Sequence, residues 1–107
     1  SLMDLIENDP GFFIVLFELF AAGRRNDEIG REVAALFRKS RDHVARALEE
    51  KESDGAIELR FGAEATVSYL FAIADGLAVQ ALSDPGRDQA EVLKAGRETA
   101  RRLFEAG

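Results

Sequence analysis

The sequence predicts an all-α domain of four helices that pairs with a second copy of itself, and three observations lead there. Ala, Leu, Glu and Arg are abundant and there are only two prolines, so the composition favours helix almost throughout. Apolar residues recur at spacings of three and four. The stretch from Ala63 to Pro85 is apolar on nearly every side, and such a helix must be covered on two faces. In helical projection Val67, Leu70, Phe71, Ala74, Ala78, Ala81 and Leu82 form one stripe. Ala65, Tyr69, Ala72, Ile73, Gly76 and Val79 form the opposite one. A chain of 107 residues supports one domain with a modest core, which leaves little to cover both stripes. The second stripe is rich in small residues that admit a close helix backbone, so a partner subunit is the economical cover.

The elements follow in order. Pro10 and Gly11 open a first helix, GFFIVLFELFAAG, with Asp9 as the expected cap and Gly23 as the expected end. Its main apolar stripe is Phe12, Phe13, Leu16, Leu19 and Phe20, flanked by Val15 and Phe17. Four phenylalanines within nine residues exceed what a surface helix needs, so they are either core or the wall of an apolar cavity. The second helix begins at Asn26 or Asp27, where the acids Asp27 and Glu28 complement the positive helix end. Its inward stripe is Ile29, Val33, Leu36, Phe37, Ser40, Val44, Ala47 and Leu48, and Gly55 supplies the left-handed residue that stops it.

Ile57, Leu59 and Phe61 then alternate in the connector from Ala56 to Gly62, which reads as an extended stretch tucked against the bundle, since a lone strand makes no sheet. Asp84-Pro85-Gly86 ends the apolar third helix near Ser83. A fourth helix follows with Asp88 as cap, repeating Val92, Leu93, Gly96, Thr99, Ala100, Leu103 and Phe104 at near-heptad spacing. Gly96 lowers helix propensity by about 1 kcal/mol relative to Ala, which points to close packing against another helix.

Composition removes several function classes. With 47% hydrophobic and 32% charged residues the chain is a folded one. A net charge of -6, with basic residues interleaved among acids, argues against nucleic-acid binding by this chain. The absence of cysteine excludes disulfides and thiol chemistry and fits a cytoplasmic protein. One histidine, no cysteine and no glycine-rich phosphate loop leave it poorly equipped as an enzyme, and no cofactor or metal is expected. Glu18 interrupts the first helix, and Asp75 with Gln80 the third, so neither is expected to reach the roughly 20 apolar residues of a membrane span. Opening on Ser1-Leu2 instead of methionine, the chain is expected to be part of a longer protein.

A Phe-rich helix, a long Arg-rich helix ending in Asp-Gly and a helix containing Asp-Gly-Leu together resemble the TetR (tetracycline-repressor-like) family of regulators. The matching pieces are LFELFAAGRRNDEIGREVAALFRKSRDHVARALEEKESDGAI and AEATVSYLFAIADGLAVQALSDP. They resemble the carboxy-terminal effector-binding and dimerisation domain, with residues 1–107 as that single domain and the amino-terminal helix-turn-helix absent from this chain. The resemblance implies a homodimer whose last two helices form an intermolecular four-helix bundle. It also implies a small apolar or aromatic effector that releases a repressor from DNA, with DNA bound only through the missing amino-terminal domain.

An effector site needs an apolar cavity with a few orienting polar groups. The candidates are Phe13, Phe17, Phe20, Phe37, His43 and Tyr69, with plain core packing as the competing reading for the phenylalanines. Tyr69 faces either the pocket or the dimer seam. For the dimer interface the candidates are Ala72, Gly76, Val79, Val92, Gly96, Ala100 and Leu103. Asp75, the one charge near the middle of the third helix, is expected to reach water or an arginine, with a structural pairing to an arginine of the fourth helix favoured over a proton-transfer role. The competing account of the whole chain is a stand-alone dimerisation or adaptor module without a ligand.

Overall fold

The computed structural model describes residues 8–105. The opening Ser1-Leu2 lies outside the described residues. Among the described residues there are four helices, α1 Pro10–Arg25, α2 Asp27–Ser53, α3 Ala63–Ser83 and α4 Ala90–Arg102, and no strand. The predicted all-helical class and order of elements hold.

Proline at the start of α1 presets the helical φ and needs no amide partner there. The side chain of Asp9 makes no capping bond, contrary to expectation, and α1 does not stop at Gly23 but runs on to Arg25. A single residue, Asn26, then joins α1 to α2. Its amide donates to the Ala22 carbonyl at 3.1 Å, and its Oδ1 accepts the amides of Glu28 at 3.0 Å and Ile29 at 3.1 Å. One asparagine thus closes one helix and caps the next.

So short a corner forces the two backbones together. The Gly23 carbonyl oxygen lies 2.8 Å from where a Cβ on residue 30 would stand, so the contact requires Gly30 to lack one. At its other end α2 stops through Gly55, at φ +79°, with the Ala56 amide reaching back to the Lys51 carbonyl at 2.9 Å. The connector beyond it is extended, with Ile57 and Leu59 half-buried as their alternation predicts. Phe61, expected on the same side, is exposed because the chain turns there into α3.

Two small cores result. Phe13 of α1 packs on Ala78 and Ala81 near the end of α3, joined by Phe17 and Leu82. Ala45 of α2 packs on Ala63 and Val67 at the start of α3, with Val44, Leu48, Leu59 and Phe71 around them. The whole measures 42 × 37 × 20 Å, and 20 Å is about two helix diameters, so each helix keeps a face toward solvent.

That thinness explains where the predicted stripes depart from the observed ones. On α1 the buried line is Phe13, and Phe12 and Leu19 stand in solvent, because α2 and α3 cover only one side. On α2 Leu36 and Ala47 are exposed and Ala45 is buried in their place. The first stripe of α3 packs inward, with Val67 and Ala78 fully buried. At the start of α4, Asp88 accepts the Ala90 amide at 2.9 Å, one residue before the Gln89 cap position.

α3 corrects one expectation. By length and composition it is long and apolar enough to cross a membrane, despite Asp75 and Gln80. A core helix passes the same test, and α3 carries both clusters that join it to α1 and α2.

Candidate functional site

The phenylalanines of α1 follow a helical repeat that carries them up one side and onto α2. Phe12 meets Phe13 edge-on at a centroid distance of 5.2 Å; Phe13 and Phe17 are 6.3 Å apart, Phe17 and Phe20 6.3 Å, and Phe20 and Phe37 5.0 Å. These separations are those of favourable aromatic pairs, and the Phe20–Phe37 rung adds to the tie between α1 and α2. Four of the six candidate ligand residues, Phe13, Phe17, Phe20 and Phe37, therefore lie together. Phe13 is buried in the core, while the other three are half-buried. His43 is exposed farther along α2, and Tyr69 stands on α3 with half its surface in solvent.

Open grooves cross the surface formed by the described residues. One of about 410 Å³ lies between α3, the connector and the end of α4, lined by Phe61, Ala65, Thr66, Tyr69, Thr99 and Leu103. Thr66 spends its hydroxyl on the Gly62 carbonyl at 2.9 Å, and Thr99 on the Ala95 carbonyl at 2.8 Å. Tyr69 is then the side chain left to orient a guest, and the rest of the wall is apolar. Another groove, of about 370 Å³, separates α1 from α3 and is lined by Phe17, Val79 and Leu82 among others, with Glu18 and Ser83 as its polar members. A third, of about 510 Å³, lies at the α1–α2 corner beside Gly23, Gly30, Arg31 and Arg38.

The candidates thus divide: Tyr69 borders the first groove and Phe17 the second, and His43 lines none of these. Phe61 was missed as a wall residue because alternation placed it with Ile57 and Leu59. Leu103, expected at the dimer seam, shares a groove with Tyr69.

The second stripe of α3 is placed on the outside. Ala65, Tyr69, Ala72, Gly76 and Val79 are exposed, and apart from the helix's own neighbouring backbone nothing lies within 4 Å of where a Cβ on Gly76 would stand. Ile73, the remaining member, is half-buried and touches α4. Val92, Gly96 and Ala100 of α4 and Leu103 just past it are half-buried, and a Cβ at Gly96 would lie 3.9 Å from Ile73 and 4.0 Å from Leu77. Gly96 therefore faces α3 of its own chain.

Two polar groups lack the expected company. Gln89 is buried and its side-chain amide has no hydrogen-bond partner among the described residues, a cost of about 1–3 kcal/mol. Asp75 is half-buried, and desolvation alone pushes its carboxyl above the usual carboxylate range; the arginine expected from α4 is not among the causes. A carboxyl with a raised folded-state pKa binds its proton more tightly folded than unfolded. Its contribution to stability is complete below the unfolded pKa and is lost as pH rises through the folded value. Asp75→Asn is therefore expected to raise the melting temperature at neutral pH and to leave it nearly unchanged in acid. Equal shifts at both pH values in thermal denaturation would contradict this.

No cluster of three or more His, Cys, Asp or Glu placed to hold a metal occurs among the described residues. A family model described as the C-terminal domain of BetI-type transcriptional repressors matches residues 1–105. No curated protein and no solved structure matches the chain.

Proposed function

This chain belongs to the TetR family, as one of its C-terminal domains, and from that premise we propose that it joins two copies of a transcriptional regulator and holds a small apolar or aromatic effector. The regulator is read as a repressor that leaves DNA when the effector binds, in the cytoplasm. DNA is contacted by an amino-terminal domain outside this chain, in keeping with a net charge of -6 here. One observation carries the dimer: α3 presents Ala65, Tyr69, Ala72, Gly76 and Val79 to solvent on the side away from its own core. Small residues there let a second helix come close, and a seam of this kind is covered in a symmetric pair. The groove beside Tyr69 and the phenylalanine ladder supply apolar walls for an effector.

The dispersal of the candidate ligand residues favours the second reading, a dimerisation or adaptor module without a ligand. Native mass spectrometry of the purified chain separates the two. A dimer retaining a small molecule supports the effector reading, a dimer with none supports the adaptor, and a monomer at every concentration overturns both.

A further inference from the structure

The connector between α2 and α3 is held on both of its edges. On one side the Glu52 carboxylate, in the last turn of α2, accepts the Leu59 amide at 2.7 Å. On the other, the Glu58 and Arg60 amides donate to the carbonyls of Phe104 and Leu103, just past α4, at 3.4 and 3.1 Å. Successive amides of an extended segment point to opposite sides, so this one stretch of chain bonds two helices at once.

The packing of α4 on α3 is lighter. No residue within α4 is fully buried, and Gly96 leaves room for a Cβ beside Ile73 and Leu77. The near end of α4 hangs on the turn Asp84 to Gln89; its far end hangs on the connector. The 2.7 Å contact is charge-assisted and is the shortest of the three connector bonds, so it does most to fix where the connector lies.

We propose that the connector is a strap through which the last turn of α2 carries the far end of α4, with Glu52 as the positioning residue. α4 then follows α2 more closely than it follows α3. One consequence rests on the dimer reading above: a displacement of α2, whose Phe37 ends the aromatic ladder, shifts α4 and with it the edge of the paired face.

Amide hydrogen exchange, read by NMR on the whole chain, tests the strap. In Glu52→Ala the Leu59, Glu58 and Arg60 amides are expected to exchange about tenfold faster, the scale of one lost hydrogen bond to a charged group. Ala45 and Val67, in the core, are expected to keep their rates. Glu52→Gln retains a carbonyl acceptor and is expected to restore most of the protection. Acceleration confined to Leu59, spread evenly to Ala45 and Val67, or absent overturns the strap, as does failure of the glutamine to restore protection. Exchange is read on a dilute chain whatever its oligomeric state. A monomeric chain would undo the dimer reading and leave the strap standing.

Discussion

Gly30→Ala is expected to destabilise the fold, by up to roughly 2 kcal/mol net, even though alanine is the better helix former. The gain in helix propensity is about 1 kcal/mol. Against it stands a methyl 2.8 Å from the Gly23 carbonyl oxygen and 3.6 Å from its carbon, both backbone atoms that cannot swing aside. Overpacking of this kind costs typically 1–3 kcal/mol, so the clash wins. The corner cannot open to relieve it, because Asn26 alone joins the two helices and is bonded to both. Any opening also separates Phe20 from Phe37, now 5.0 Å apart. Gly23→Ala is expected to be milder, since its Cβ would meet the Gly30 Cα at 3.2 Å. Thermal denaturation reads the order directly, at about 4–8 °C per kcal/mol for a domain of 60–100 residues. A Gly30→Ala chain as stable as the parent would remove the close corner from the account.

Gly76→Phe is expected to weaken self-association about 10- to 100-fold while leaving the isolated chain folded. The two effects separate because, apart from the helix's own neighbouring backbone, nothing lies within 4 Å of the position a Cβ would take. A ring there fits the single chain, and replacing glycine within a helix favours the helix by a few tenths of a kcal/mol or more. In a close-packed seam the same ring holds the two backbones apart, at the roughly 1–3 kcal/mol of overpacking, which corresponds to that range of affinity. Sedimentation across a concentration series gives the association constant, and circular dichroism at high dilution gives the fold. An unchanged constant would place Gly76 outside the interface; lost helicity at high dilution would mean that the open space around it is not there.

Both substitutions act at glycines, yet the sequence treats them alike. Gly23 and Gly30 lie seven residues apart, and nothing in their local pattern announces that they touch. Their contact depends on the corner angle at Asn26, which is a property of two helices together. Gly96 was read as a mark of close packing against another helix, and only the tertiary structure identifies that helix as α3, through Ile73 and Leu77.

The sequence by itself determined the helices, their order, the stop at Gly55 and the two-sided character of α3. Those follow from backbone propensity and from periodicity, which act over a few residues. It also carried the family resemblance, through two segments that cover most of the first three helices. Which apolar residues are covered was decided only in three dimensions. Phe12, Leu19 and Leu36 satisfy every rule of spacing and are exposed, because the molecule is about two helices thick and offers nothing to pack on them. Of the candidate ligand residues the four phenylalanines came together, while Tyr69 lines a separate groove on α3 and His43 lines none of those described. Periodicity gives the direction of a side chain around its own helix axis, and a site needs directions from several axes to converge, which the crossing angles alone decide.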